Sequence, residues 1–199
     1  MKKMMLLGAL LVCAAAVGNA QESRQDVSAS ALGVFGPEVH GLGVQENQLA
    51  ALGFLGSYRY SVTPRSSLEM NYMFNQTSEK FTPPGRDTVY VHTRQQEISG
   101  AYVYSRNYRN FNPFVEVGVG GIIFTPILDY KTSQLDTKQN TNIGGLAGAG
   151  LAYEISPSFD IRAEYRGFLI KTPDFGRSDY KTNRYEWLSL PVIGLAYHF

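Results

Sequence analysis

The sequence predicts an all-β fold, an eight-stranded antiparallel up-and-down transmembrane beta-barrel, and three observations lead to this prediction. Eight segments alternate between apolar and polar residues over about the length that a tilted strand needs to cross a bilayer. The connections alternate between short turns and longer polar loops. The last alternating segment ends the chain on an aromatic residue, Phe199.

The first 20 residues have the pattern of a cleavable secretory signal. Lys2 and Lys3 precede an apolar stretch, and Gly18-Asn19-Ala20 supplies the small side chains that a signal peptidase reads. We therefore predict a signal peptide over residues 1–20 and one outer-membrane barrel domain over residues 21–199. The single cysteine, Cys13, lies in the signal, so the mature chain has neither disulfides nor a thiolate site.

Charge and hydropathy exclude two classes of protein. The chain has 18 basic and 17 acidic residues, so removal of Lys2 and Lys3 leaves a nearly neutral domain without the basic patch of a nucleic-acid-binding protein. No mature segment approaches the roughly 18 consecutive apolar residues of a transmembrane helix. Only a closed barrel could then carry the chain through a membrane.

The strands and their connections follow from this alternation. We place strands at residues 27–35, 48–62, 67–76, 93–105, 113–125, 142–155, 159–171 and 185–199. Short turns lie at 63–66, 106–112 and 156–158, and longer loops at 36–47, 77–92, 126–141 and 172–184. Because the three turns share one end of the barrel, both termini are predicted to lie with them in the periplasm of a bacterial outer membrane.

In each strand after the first, the charged residues of the strand interior avoid the apolar face. The first strand alternates weakly and contains several small residues. A charge on the lipid side would cost about 2–4 kcal/mol near the midplane. The apolar sets of the other seven strands, in chain order, are Phe54, Tyr58, Tyr60 and Val62; Leu68, Met70, Tyr72 and Phe74; Ile98, Tyr102 and Tyr104; Val115, Val117 and Val119; Ile143, Ala147, Ala149, Leu151 and Tyr153; Phe159, Ile161, Ala163, Tyr165 and Leu169; and Trp187, Ile193, Leu195, Tyr197 and Phe199.

The opposite parity carries charged side chains that would face the lumen. Buried charges need partners, so we predict a packed polar lumen held by an ionic network. We expect Arg162 and Arg166 to bridge to Glu69, Glu116 or Glu154. The alternative is a narrow water-filled path that favours cations, because carboxylates outnumber arginines. The predicted network comprises Arg59, Glu69, Glu97, Glu116, Glu154, Arg162, Glu164, Arg166 and Glu186.

Two segments carry a resemblance to a known family. They are the strand opening Asn112-Pro113-Phe114-Val115-Glu116-Val117-Gly118-Val119-Gly120 and the carboxy-terminal Gly194-Leu195-Ala196-Tyr197-His198-Phe199. The chain resembles small OmpA/OmpX-type outer-membrane barrels over nearly all of the mature length. The resemblance implies an assembly signal at Leu195, Tyr197 and Phe199 that the barrel assembly machinery reads, contact with outer-membrane lipids and lipopolysaccharide, and a monomeric barrel. Because no peptidoglycan-binding domain is expected after Phe199, the cell-wall tethering of larger family members is not carried over to this chain.

Catalysis, metal binding and surface binding are the alternatives to a purely structural role. Lipid-modifying barrels use histidine beside serine, but His40, His92 and His198 are scattered and no His-x-Ser pair occurs. We expect no enzyme, no metal site and no cofactor. The longer loops mix aromatic and charged residues, which also suits an adhesin-like or receptor-like surface. The sequence thus favours a structural, envelope-integrity barrel, with a porin-like path or loop-mediated binding as alternatives.

Overall fold

The computed structural model describes residues 24–85, 87–127 and 137–199, and the predicted signal peptide lies outside these ranges. They contain no helix long and apolar enough to span a bilayer. Within the described residues a 3₁₀ turn, Ser178–Tyr180, lies between the last two strands. The strands are β1 (Gln25–Val34), β2 (Glu38–Gly41), β3 (Val44–Gln48), β4 (Ala51–Thr63), β5 (Ser66–Thr82), β6 (Val89–Ser105), β7 (Phe111–Pro126), β8 (Asn140–Ser156), β9 (Phe159–Lys171) and β10 (Tyr185–His198).

Eight long antiparallel strands close into a barrel, which confirms the predicted fold class. From β4 to β10 each strand pairs with its neighbours in the chain, and β1 closes the circle by pairing with both β4 and β10. Closure leaves no free edge among these eight strands. The turn end is the end that holds the β4–β5, β6–β7 and β8–β9 connections, the start of β1 and the end of β10. The opposite end is the loop end.

The first loop departs from the sequence prediction. Residues 36–47 were expected to form a loop, but they contain most of a hairpin, β2–β3, whose strand β3 pairs with the far end of β5 from Gln45–Thr82 to Gln48–Glu79. The partner exists because β5 continues to Thr82 and β6 starts at Val89, beyond the predicted ends at 76 and 93. The loop end therefore carries a small sheet that projects past the barrel wall.

The outer face has the apolar belt that the alternation predicts. Val115, Val117 and Val119 of β7 point outward and are exposed, while Glu116 between them is buried. Tyrosine and phenylalanine side chains border this belt at the turn end, as in the aromatic girdles of membrane barrels. They are Tyr60, Tyr104, Tyr153 and Phe159. On β5 the belt stops at Phe74, because the following outward residues are Gln76, Ser78 and Lys80.

The interior has two different halves, so the expectation of a polar lumen holds only near the turn end. Along β9 the inward residues change from Asp160, Arg162, Glu164 and Arg166 to Phe168 and Ile170. The apolar half is a packed core. It includes Leu32, Val34, Leu55, Met73, Ile122, Phe124, Leu146, Phe168, Ile170, Leu188 and Leu190. The signal is visible in the sequence as runs such as Phe168-Leu169-Ile170, where both parities are apolar.

Two inward glycines of β8 make room for larger side chains of the interior. A Cβ atom at Gly148 would lie 2.6 Å from Glu116 Oε1, and one at Gly150 would lie 2.5 Å from Phe114 Cζ. Any other residue there would displace these side chains. Gly148 therefore leaves the space that the Glu116 carboxylate occupies, and Gly150 leaves the space for the Phe114 ring.

Candidate functional site: the ion-paired interior

Arg166 is the centre of the charged half of the barrel. It projects inward from β9, and its side chain is 1% exposed. Its Nε lies 2.9 Å from Glu116 Oε1 of β7 and 3.4 Å from Glu164 Oε1, and its Nη2 lies 3.5 Å from Glu97 Oε1 of β6. One guanidinium thus joins carboxylates from three strands, β6, β7 and β9, which is the fork geometry that arginine provides.

A second pair lies between β4 and β5. Arg59 and Glu69 are directly opposite in the strand register. Both Arg59 Nε and Nη2 lie 2.6 Å from Glu69 Oε2, with both side chains buried. The guanidinium carbon also stands 4.8 Å from the centre of the Phe114 ring. The aromatic face and the carboxylate together stabilise the Arg59 charge.

Two acidic residues at the turn end, Asp26 and Asp160, form ion pairs that were not predicted from the sequence. Arg162 Nη2 lies 2.8 Å from Asp26 Oδ1 of β1, and His198 Nε2 lies 2.8 Å from Asp160 Oδ2. Asp26 stood one residue before the predicted first strand, yet it shares the inward parity of Ser28 and Ser30. Extending the alternation by one residue would have found it.

Not every residue of the predicted network joins the arginines. Arg166 reaches Glu116 as expected, whereas Arg162 meets Asp26 and neither Glu69 nor Glu154. Glu154 lies at the turn end, where its backbone bonds to Asn110 and no described ion pair involves its carboxylate. Glu186 lies at the loop end beside Glu46 and Glu79, beyond the apolar core.

The carboxylates of the charged half outnumber its arginines. Arg59, Arg162 and Arg166 stand against Asp26, Glu69, Glu97, Glu116 and Glu164. Glu97 also accepts a 2.6 Å hydrogen bond from the Ser99 hydroxyl, which offsets part of the excess. Removing one partner of such a buried group leaves an unpaired charge that costs about 3–5 kcal/mol. The arrangement therefore cross-links the walls strongly.

A water-accessible cavity lies at the turn end. It has a volume of about 370 Å³, and charged and hydroxyl side chains line it. They include Arg24, Asp26, Arg59, Ser67, Asp160 and Arg162. Arg59, Arg162 and the Arg162 partner Asp26 are part of the cavity wall.

The histidines and the carboxy-terminal residues occupy separate places. His40 is on β2 with its Nε2 2.9 Å from Glu38, His92 is on β6, and His198 is on β10. In the described part of the chain no three acidic or histidine side chains are placed to hold a metal ion. The ring centres of Phe159 and Tyr197 lie 5.1 Å apart, and those of Tyr197 and Phe199 lie 6.1 Å apart, while Leu195 is exposed on the outer face.

Several solved structures have this architecture. Neisserial surface protein A is 16% identical with a TM-score of 0.64, and the match covers 89% of this chain and 98% of that one. OprG of Pseudomonas aeruginosa is 11% identical with a TM-score of 0.65, covering 90% and 98%. Ail, the attachment invasion locus protein of Yersinia pestis, is 15% identical with a TM-score of 0.52, covering 90% and 100%.

Sequence comparison identifies the family. No curated protein sequence matches the chain. The model of the outer membrane protein beta-barrel domain family matches residues 4–199, which includes all the strands described above. The chain therefore belongs to the outer membrane protein beta-barrel domain family, and it is a bacterial outer-membrane protein.

Proposed function

We propose that this protein is a sealed structural barrel that contributes to envelope integrity and does not pass solutes through its lumen. The observation that carries the proposal is the packed loop half. Met73, Ile122, Phe168 and Leu188 project inward from four strands and are each 0% exposed. A conducting path needs a continuous polar or hydrated channel, and apolar constrictions exclude ions.

Conductance in a planar bilayer tests this proposal. The refolded mature chain, with folding verified by heat-dependent gel mobility, is expected to stay silent. Steady cation-selective steps that fall as the carboxylates protonate would instead favour the narrow pore. A change in mass of lipopolysaccharide incubated with the barrel would reveal an enzyme and overturn a purely structural role.

The orientation is also a proposal. We infer that the turn end faces the periplasm, because family barrels carry short periplasmic turns and longer outer loops. Cysteine substitutions at Leu42, the exposed tip of the β2–β3 hairpin, and at Asn107, in a turn, provide a matched pair. A membrane-impermeant maleimide added to intact cells should label position 42 and leave position 107 unlabelled. The reverse pattern would invert the assignment.

The carboxy-terminal residues Leu195, Tyr197 and Phe199 suggest the assembly partners. We propose that Leu195, Tyr197 and Phe199 are read by the barrel assembly machinery and that the finished monomer contacts outer-membrane lipids and lipopolysaccharide. Deleting Phe199 should lower the amount of folded barrel in cells and leave refolding in detergent unchanged. Equal losses in both would indicate a purely structural role for this residue.

The projecting hairpin favours one second candidate, binding at the loop end. β2 and β3 extend the sheet beyond the apolar belt, and Leu42 at their tip is 71% exposed. The similar barrel Ail has been solved with the heparin analogue sucrose octasulfate. A variant in which a short turn replaces residues 38–47 should lose binding to heparin beads if this candidate is correct. Unchanged binding, or none in either protein, would exclude a heparin-like ligand at this hairpin.

A further inference from the structure

Three buried carboxylates from different elements meet at the loop end. Glu46 belongs to β3, Glu79 to β5 and Glu186 to β10, and their residues are 2%, 2% and 4% exposed. The strand pairing places Glu46 opposite Phe81 and Gln48 opposite Glu79. Gly36 marks the contact with β10, because a Cβ atom there would lie 2.9 Å from Gln48 Cβ and 3.5 Å from Glu186 Oε2. These acids therefore lie where the hairpin rests on the barrel.

No basic side chain neutralises this acidic cluster within the described residues. None of the cations on the adjoining segments forms a described ion pair with the cluster. These cations are His40 of β2, Lys80 of β5, Lys171 of β9, Arg177 and Lys181 of the connection between β9 and β10, and Arg184 before β10. The other facing side chains are uncharged. The Gln48 amide donates to Gln95 Oε1 at 3.2 Å, the Gln95 amide donates to Glu79 Oε1 at 3.0 Å, and Thr172 and Thr182 lie beside Glu46.

Acceptor atoms in the cluster are left without donors. Neither carboxylate oxygen of Glu46 nor the Oε1 atom of Gln48 accepts a hydrogen bond from the described residues, and the Thr172 and Thr182 hydroxyls beside Glu46 are hydrogen-bonded to each other. An ionised carboxylate in this position would be both desolvated and unpaired, which costs several kcal/mol. A protonated carboxyl supplies the missing donor and removes the charge. Because the described residues contain no trio placed for a metal ion, protons are the cations that fit.

The pKa shifts of Glu46 and Glu79, which both lie beyond the apolar belt, agree with this geometry. Burial, followed by the charges of Glu79 and Glu186, raises the pKa of Glu46 to about 10, while the hydroxyls of Thr172 and Thr182 oppose the rise. Burial and the Glu186 charge raise the pKa of Glu79 well above its ordinary value, against the Gln95 hydrogen bond. Glu46 thus holds its proton at neutral pH as long as it stays buried, and the pKa of Glu79 is shifted in the same direction.

An aromatic cap covers the cluster. The Phe81 ring stacks on Tyr180 with 4.7 Å between ring centres and meets Phe175 edge-on at 6.0 Å. Gly41 of the hairpin packs against the backbone of Thr182. The hairpin and the segment from Thr172 to Thr182 therefore close over the acids together, and moving the hairpin would expose them to water.

We propose that Glu46, Glu79 and Glu186 form a proton-binding latch that holds the β2–β3 hairpin on the loop end and releases it as the protons leave. Each released proton shifts the opening equilibrium by up to about tenfold per pH unit. Opening uncovers the loop-end aromatic residues to the outer medium. The inference concerns the hairpin alone and stands whether or not the lumen conducts.

Distances between two spin labels test the latch. The mature chain lacks cysteine, so labels can be attached at Leu42→Cys on the hairpin and Ile143→Cys on the outer face of β8. The distances are measured by pulsed electron paramagnetic resonance on the refolded barrel in lipid nanodiscs, from about pH 5 to pH 9. One narrow distance distribution is expected in acid. A second population should grow as the pH rises.

Two carboxylate variants separate the latch from general pH effects. Glu46→Gln mimics the protonated side chain and should keep the hairpin closed across the range. Glu38→Gln, an exposed carboxylate on the same hairpin, should leave the pH response of the parent unchanged. A parent whose distances do not change with pH, or a Glu46→Gln variant that opens like the parent, would overturn the proposal. Closure at high pH on addition of Ca²⁺ or Mg²⁺ would also overturn it, in favour of a metal site.

Discussion

Arg166 Nε lies 2.9 Å from Glu116 Oε1, although 50 residues separate them in the chain. The pair links β9 to β7 across β8, where Gly148 presents no side chain between them. Such a contact joins walls that are not neighbours in the sheet. It is therefore expected to stabilise the closed barrel beyond the strand pairing itself.

Arg166→Met should destabilise the barrel by about 3–5 kcal/mol, because Glu97, Glu116 and Glu164 would keep their burial and lose their common cation. The measurement is urea unfolding of the barrel refolded in lipid vesicles, followed by the fluorescence of the single tryptophan, Trp187. Arg65→Met, in an exposed turn, serves as the control and should stay within about 0.5 kcal/mol of the parent. Equal stability of the two variants would show that the interior pairs do not hold the walls.

Gly148→Ala tests the space that the charged half requires. The added methyl group would lie 2.6 Å from Glu116 Oε1 and 3.1 Å from the Tyr165 carbonyl oxygen, so an overpacking cost of about 1–3 kcal/mol is expected. Gly145→Ala on the outer face of the same strand meets nothing closer than 3.9 Å and should be nearly neutral. The two variants are compared in the same urea titration. Similar unfolding midpoints would contradict the interior packing described here.

Sequence alternation predicted the barrel well and its interior only in part. It assigned Arg162 and Arg166 to the inner face of β9 and Ile161 and Tyr165 to the outer face, because a charge that faces lipid is costly. The lumen imposes no such rule, since Phe168 and Arg166 are both acceptable inward residues when their neighbours match them. The pairing of Arg162 with Asp26 depends on barrel closure between β1 and β10, which no local pattern encodes. The β2–β3 hairpin was not predicted because its strands are short. Apart from pairing with each other, they contact the barrel sheet only where β3 pairs with the extension of β5.

Val117→Arg tests the lipid-facing assignment of the outer belt. Val117 lies near the middle of β7 and is exposed, so a charge there should cost about 2–4 kcal/mol in a bilayer. Leu42→Arg, at the tip of the hairpin beyond the belt, should cost little. Unfolding in vesicles measures both changes. A tolerated arginine at position 117 would place this face of β7 outside the hydrocarbon layer.

Glu46 gives the loop end a pH dependence whose sign is opposite to that of a salt-bridged carboxylate. Its pKa is raised by burial from 4.5 to about 10 in the folded barrel, so the native state keeps a proton that the unfolded chain loses. The stabilisation is complete below about pH 4.5 and is lost as the pH rises toward about 10. Relative to Glu46→Gln, the parent should lose on the order of 1 kcal/mol per pH unit within this window.

Urea titrations of the parent and Glu46→Gln at several pH values measure this difference directly. The two unfolding free energies should converge in acid and separate in alkali, with the glutamine variant the more stable. Glu38→Gln should stay close to the parent at every pH, because that carboxylate is exposed and its exposed pair with His40 contributes only about 0–1 kcal/mol. A parent that gains stability relative to Glu46→Gln as the pH rises would mean that Glu46 is ionised in the folded barrel, and a cation would then have to neutralise it.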